Sequence, residues 1–559
     1  MENKNVLMAV VLSTLVIIFW QFMYGDEYIE LENQQTKTEE VRSEKPSAPS
    51  IVKKKAVIKV SRSDAITQTG RVKIENQNLT GSIALKGGLI DDIILKNYNS
   101  NQNINSNKVV LLNPKKIDQS YYLETGWATS GAEIVPNNQT EWKVIGNKIL
   151  SPNKPVKLEW SNGKGLIFIK EFSIDNKYLI TVNEQIKNQS SQTINLFHYA
   201  QITRKQKPKT QDFYILHEGL LGVVDENLTE EDYDDVVEKK KSYKGSKGWV
   251  GITDKYWLTA VIPEKGKKFN AEFSYDKAYK ANYIITDPTT VNVNQSGSNI
   301  SNIFIGAKEV AVVDGYAESK GFHKFDLAID WGWFHFFTKP LFFIIDYLYK
   351  ISGNFGIAII LLTAAIRLLF FPLANYSFAS MAKMKALQPE MQRLKDLHKD
   401  DKQKIQMEMM NLYKREKVNP ISGCLPVLIQ IPFFFAIYKM LFVTIEMRHA
   451  PFYGWIKDLS AADPTTIFNL FGLIPWNPPS FLIIGAWPII MGVTMYIQQK
   501  LNPSPPDPIQ AKIFMFFPFF LTILLASFPS GLVIYWSINN ILTMAQQYVI
   551  IRKTKIKTV

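Results

Sequence analysis

Apolar and polar positions divide this chain into blocks with different periodicities. An apolar run from Val6 to Tyr24 follows Lys4 and ends in WQFMYGDEY, with bulky residues where a signal peptidase needs small ones. A retained membrane anchor is expected over 1–24. Residues 25–55 pass from acidic to Pro/Ser-containing to basic without periodicity, which is the pattern of a flexible linker. From 56 to 325 the code changes to short runs rich in β-branched and aromatic residues. VKLEW from Val156, GLIFIKEF from Gly165 and YLITVNEQI from Tyr178 are examples, with Gly, Asn and Pro between such runs. Regular short strands over a long polar stretch predict an all-β sandwich. Over 326–352 the run WGWFHFFTKPLFFIIDYLYK is apolar but carries Lys339, Asp346 and Lys350. It fits an amphipathic helix lying in the membrane interface better than a spanning one.

From 353 to 559 long apolar runs dominate. The run from Gly356 to Pro372, GIAIILLTAAIRLLFFP, reads as a span with Arg367 near its middle. Further spans are expected at Leu425–Thr444, Phe481–Ile497, Ile513–Phe528 and Leu532–Ile551. Residues 376–419 interrupt them. They are strongly basic, and Met384, Leu387, Met391 and Leu394, then Ile405, Met409 and Leu412 beyond HKDDK, recur at helical spacing. Two antiparallel helices satisfy that pattern, with Pro389 expected to kink the first. Lysines and arginines of 376–419, Lys500, Lys512 and the tail RKTKIK fall on one side if the chain crosses six times. The expected fold is therefore a polytopic α-helical membrane protein of six spans, with a large extracytoplasmic all-β sandwich and a cytoplasmic helical hairpin. Both termini are then cytoplasmic.

Composition narrows the chemistry. The net charge of +13 in 559 residues would suggest nucleic acid in a soluble protein, whereas here it marks cytoplasmic loops. One cysteine, Cys424, excludes an internal disulfide framework and a cysteine-based zinc site. No HExxH, GxxxxGKS/T or GxSxG pattern occurs, so neither metal nor cofactor is expected. The carboxylates between Asp225 and Asp235 crowd one loop-like segment. They read as a solvated acidic loop rather than a glycosidase pair, which needs two separate positions.

Polar residues inside the spans carry the functional signal. An arginine at the centre of a span costs roughly 2.5–3.5 kcal/mol on insertion scales. It either snorkels toward the basic end of its helix or faces a wet cavity. Thr363 lies one turn before Arg367 on the same face, and Gln430 falls within the first two turns of its span. On the last span Trp536, Asn540, Thr543 and Gln547 share one face, flanked by Asn539 and Gln546. Hydrogen bonding between helices accounts for each of these singly. No Asp or Glu lies in the spans to pair with Arg367, and a water-filled groove satisfies both the arginine and the polar face. Ile513–Phe528 reaches only about 24 Å, so the bilayer beside it must thin or the helix sit shallow.

TAAIRLLFFPLANYSFASMAKMKALQPEM, NPISGCLPVLIQIPFFFAIYKML and FPSGLVIYW resemble the YidC/Oxa family of membrane protein insertases, in its Gram-negative bacterial form. The order of segments is similar along the whole chain. The likeness is strong over 353–559 and weaker in the β domain, which resembles the family's periplasmic sandwich. The resemblance implies insertion and folding of inner-membrane proteins, alone or with the Sec translocon, with no catalysis of bond chemistry. It implies a hydrophilic groove in which Arg367, Thr363, Gln430 and Tyr535 match groove positions, while Trp536 stands where a second tyrosine is expected. Nascent membrane proteins, Sec components and the lipid bilayer are the implied partners, with no specific nucleic acid. The basic tail is open to the ribosome and to anionic lipid alike. A secondary transporter with Arg367 as an anion or coupling site is the alternative, although neither an internal repeat nor a broken-helix pair is evident. A scaffold holding other subunits by its β domain is a third reading, and it leaves Arg367 unexplained.

Overall fold

A computed structural model describes residues 60–102, 106–208, 216–332, 335–398, 401–419, 425–476, 478–479, 483–502 and 508–557. The expected anchor, the linker and Cys424 lie outside these residues.

The polar half forms two sheets, of eleven and nine strands. Strand alternation sets which residues meet between them. In the nine-stranded sheet β2 (Leu166–Ile174), β3 (Leu179–Asn188) and β7 (Ser296–Ala307) are adjacent and antiparallel, with Ile180 opposite Ile303 and Glu184 opposite Lys170. In the eleven-stranded sheet β1 (Tyr121–Thr129) pairs with β4 (Ile194–Arg204), from Leu196 opposite Thr129 to Arg204 opposite Tyr121. Phe168, Phe172, Ile180, Val182 and Ile186 fall in the buried phase of β2 and β3 and enter the core. Two further strands, β5 (Gly248–Thr253) and β6 (Trp257–Ile262), join through a turn at Lys255 that faces the helical half.

The chain leaves the sandwich through α1 (Val310–Ser319) and enters α2 (His335–Ser352). Thr338, Leu341, Phe342 and Ile345 of α2 are buried, while Phe336, Phe343, Tyr347 and Ile351 are exposed. Lys339 is tied to Asp314 and Asp326, which holds α2 against α1 and the turn that follows it. The turn Ser352-Gly353-Asn354 then reverses the chain. Gly353 takes a left-handed φ of 68°, and the Asn354 side chain caps the next helix by accepting from Ile357 N at 3.2 Å.

That helix, α3 (Phe355–Leu369), differs from the expected continuous span. It stops at Leu369, and α4 (Phe371–Ala386) leaves it at 68°. Pro372 opens α4 instead of ending α3, because proline lacks the N–H that a helix interior needs and sits easily in a first turn. Arg367 is consequently in the last turn of α3, not its middle. The hairpin is also shorter than 376–419. Residues up to Ala386 belong to α4, whose Ala374, Phe378 and Met381 pack on Ile550. The antiparallel pair is α5 (Gln388–Leu397) and α6 (Lys402–Arg415), joined by Met391, Met409 and Leu412 with Leu387, Leu394 and Ile405 around them. Pro389 sits in the first turn of α5, just after the break at Leu387 that separates α4 from α5.

Four more helices follow: α7 (Leu425–Val443), α8 (Ala486–Leu501), α9 (Pro508–Leu524) and α10 (Ser530–Lys557). Among the described residues one stretch, Gln510–Ser527, is long and apolar enough by itself to cross a bilayer, and the bent pair α3–α4 qualifies if it counts as one span. The side chains of α9 are largely exposed: Ile513, Phe514, Phe516, Phe517, Phe519 and Phe520 all face outward. At the other extreme, a methyl group added at Gly356 would lie 2.0 Å from the Phe452 ring, so α3 needs glycine where it meets that loop.

Candidate functional site

The site begins with the geometry of α3. Thr363 and Arg367 are one turn apart on one face, and that face looks across at α7 and α10. Gln430, in the second turn of α7, and Tyr535 and Asn539, one turn apart on α10, close the opposite wall. Apolar residues of the elbow between α3 and α4, Phe370 and Leu373, complete the lining with Phe433 of α7. The cavity so formed is open to the surface and has a volume of about 30 Å³, room for a water molecule.

Arg367 is half-buried in this cavity. Its Nε donates to Asn539 Oδ1 at 2.8 Å, and its Nη2 donates to the same oxygen and to Gln430 Oε1 at 3.0 Å. These acceptors are neutral amides. They satisfy the planar donor fork without cancelling its charge. None of α3, α7, α8, α9 and α10 contains Asp or Glu, so the cavity carries a net positive charge in an apolar surround. The Thr363 hydroxyl donates to Ile359 O one turn back at 2.7 Å. Its hydrogen is thus used within α3, while the oxygen remains a weak acceptor toward the cavity. Arrangements of this kind attract an anion reversibly and hold it by charge-assisted hydrogen bonds.

Of the residues singled out in the sequence, Thr363, Arg367, Gln430 and Tyr535 line the cavity together. Trp536, Asn540 and Thr543 do not. Asn540 Nδ2 donates to Thr494 Oγ1 of α8 at 3.2 Å, and Gln547 Nε2 donates to Asn502 Oδ1 at 3.1 Å. Trp536 packs edge-on against Phe434 and joins the cluster around Met491, Leu521 and Val533. Thr543 donates to Asn539 O in its own helix at 2.6 Å. Within this stripe Asn540 reaches α8, Gln547 the residue just beyond it, and Trp536 a ring of α7. Asn539, one residue and about 100° further round, faces the arginine. The sequence signal for Asn539 was its place beside that stripe, which does not say which face meets α3.

Two family models match the chain, "YidC periplasmic domain" over residues 71–344 and "60Kd inner membrane protein" over 347–557. A "Membrane protein insertase YidC" of Pelagibacter ubique is 54% identical over 559 residues, covering 100% of both chains. A protein of the same name from Methylorubrum extorquens is 44% identical, covering 100% of this chain and 96% of its own. Among solved structures, "Active YidC insertase crystal structure with the first transmembrane domain resolved" overlaps with a TM-score of 0.36 at 18% identity, over 86% of this chain and 92% of that one. On the breadth and identity of the sequence matches, the chain belongs to the YidC family of membrane protein insertases.

Proposed function

We propose that this protein inserts and folds integral membrane proteins, and that the cavity at Arg367 receives the polar tail of the client on its way across. One observation carries the reading: a guanidinium held by two neutral amides, in a cavity whose helices contain no carboxylate. Moving a hydrophilic tail through hydrocarbon strips its polar groups of hydrogen-bond partners, at several kcal/mol each. A wet cavity shortens that passage. An acidic side chain about 4 Å from Arg367 gains roughly 4 kcal/mol at an effective dielectric of about 20. The membrane potential, positive outside, pulls the same charge outward by about 2.3 kcal/mol per 100 mV. The two are comparable in size, so the arginine captures the tail without trapping it. The client's apolar segment then leaves sideways into lipid by hydrophobic transfer. No bond is made or broken.

The same proposal gives the chain six spans, a sandwich on the outer side of the inner membrane, and a basic hairpin and both termini in the cytoplasm, an orientation that the distribution of lysine and arginine supports. Action alone or beside the Sec translocon, and contact of RKTKIK with ribosome or anionic lipid, belong to the same proposal.

The test is insertion of a short, acidic-tailed client into liposomes that contain this protein and no other. Translocation should fall in the order wild type, Arg367→Lys, Arg367→Ala, Arg367→Glu, with roughly a tenfold loss for alanine. Clients with neutral tails should respond less. Wild-type rates for Arg367→Ala at equal abundance would remove the arginine from the pathway.

A further inference from the structure

A second cavity, of about 340 Å³, lies between the sandwich and the helical half. Three stretches far apart in sequence build it: the β5–β6 turn at Lys255 and Tyr256, the end of α7 with the loop that follows it as far as Ala462, and the turn Ser527–Pro529 between α9 and α10. Its wall is divided by chemistry. Tyr438, Phe442 and Phe528 make an aromatic side, with Tyr438 and Phe528 ring centroids 5.3 Å apart. Lys255 and Arg448 supply two cations on the other.

Both cations are held in place by their stems and neighbours. Lys255 Nζ stands 3.7 Å from the centroid of the Phe442 ring and 5.0 Å from that of Tyr256. Arg448 donates through Nη2 to the carbonyl of Asn99 at 2.7 Å and lies over the Trp257 ring at 5.4 Å. The one carboxylate in the lining, Asp458, is engaged by Ser460, whose N and Oγ donate to its Oδ1 at 2.8 and 2.7 Å. Its Oδ2 is 4.0 Å from His449 Nε2. Glu218 lies behind the wall, accepting from the Lys255 amide at 3.0 Å. The lining itself thus carries two cations and one carboxylate, and Glu218 offsets part of the Lys255 charge from outside it. Burial pushes the Lys255 ammonium down to about 8, with Glu218 and Asp458 opposing and Arg448 adding to the fall. An anion entering beside it would favour the charged form.

A charged end beside an aromatic one suits an amphiphile with an anionic head. We propose that this cavity binds the phosphate group of a phospholipid, with Lys255 and Arg448 facing the phosphate and Tyr438, Phe442 and Phe528 lying along the adjoining hydrocarbon. The phosphate site stands on the cavity itself. The lipid as its source rests on reading α7, α9 and α10 as spans, since their ends at this cavity are then where the helices leave the bilayer.

Full-length protein, delipidated in neutral detergent, is titrated with phosphatidylglycerol, with diacylglycerol of the same chains and with inorganic phosphate, and bound species are counted by native mass spectrometry. Phosphatidylglycerol should bind at least about tenfold more tightly than diacylglycerol. Lys255→Gln should lose about tenfold, Lys255→Arg should retain binding, and Lys457→Gln, at an exposed lysine outside the cavity, should bind as wild type does. Equal binding of diacylglycerol and phosphatidylglycerol by the wild type overturns the proposal whether or not the variants fold. So does wild-type affinity in Lys255→Gln. Inorganic phosphate that binds as tightly as the lipid keeps the phosphate site and overturns the lipid as its source.

Discussion

Two cations, Lys170 in the sandwich and Arg367 in the helical half, are held in opposite ways. In the sandwich Lys170 and Glu184 face each other across β2 and β3 and pair at 2.9 Å, both almost fully buried. Thr125 and His198 come from the other sheet to the same point: Thr125 donates to Glu184 Oε1, and the His198 ring lies 3.4 Å from Oε2. Burial alone would raise the Glu184 carboxyl, but the Lys170 ammonium and His198 hold it down to about 2. In the helical half Arg367 has only amide oxygens. A cation with a buried carboxylate is neutralised and belongs to the architecture. A cation with neutral partners keeps its field for something that arrives from outside.

The largest effect should come from breaking the sandwich pair. Glu184→Gln leaves Lys170 buried without its counter-charge and should cost roughly 3–5 kcal/mol, read from denaturant unfolding of the full chain by near-UV circular dichroism. Arg367→Ala removes a costly ion that has no counter-charge, so the helical half should melt at or above the wild-type temperature. Equal destabilisation by the two substitutions would show that Arg367 is as structural as Lys170, and the contrast would fail.

Acid and alkali should separate the regions next. Glu184 is held below its ordinary range, so its contribution is present above about pH 4.5 and is lost as pH falls toward 2. Glu446 behaves oppositely at the joint between the halves. Its carboxyl accepts from Val310 N, at the start of α1, at 2.9 Å. Burial pushes it up to about 7, with the Val310 amide opposing and Glu309 and Asp346 adding to the rise. The folded state therefore binds the proton more tightly, and this contribution is complete below about pH 4.5 and declines as pH rises through 7. Hydrogen exchange at the Val310 amide, corrected for its intrinsic pH dependence, should be slower at pH 5.5 than at pH 8. Glu446→Gln should make the two equal.

The smallest effect is the sharpest within α10. Asn540→Ala breaks a contact with Thr494 worth about 0.6 kcal/mol and should leave client insertion unchanged. Asn539→Ala takes the main acceptor from Arg367 and should slow insertion of acidic-tailed clients with little change in melting. The reverse pattern, measured in the liposome assay, would put the Trp536–Gln547 stripe back in the cavity.

How far each half can be read from sequence differs for the same physical reason. Alternation exposed the strands around Phe168 and Val182, because every second residue must enter the core. It could not announce that Lys170, Glu184 and His198 would meet, since their strands belong to different sheets and only register brings them together. In the helical half, Arg367, Thr363 and Gln430 stood out as polar letters in apolar runs. Hydropathy marks depth but not azimuth, so the stripe led by Trp536 and Asn540 could be seen and its facing helix could not. The elbow after Leu369 is hidden in the sequence because Phe370 and Phe371 continue the apolar run through it, and Pro372 looks like an end when it is a beginning.

The outward-facing phenylalanines of α9 have a consequence for how this chain can change over time. Phe514, Phe517 and Phe520 are each about half exposed, so their neighbours constrain their shape far less than Phe452 constrains Gly356. The surrounding medium, read as lipid, asks only that these positions be apolar and long enough in total. Exchange among phenylalanine, leucine and isoleucine there should be close to neutral, whereas one added methyl at Gly356 forces α3 and its loop apart. A mutational scan would find α9 to be the most freely rewritable helix in the core, constrained by its average and indifferent to its spelling.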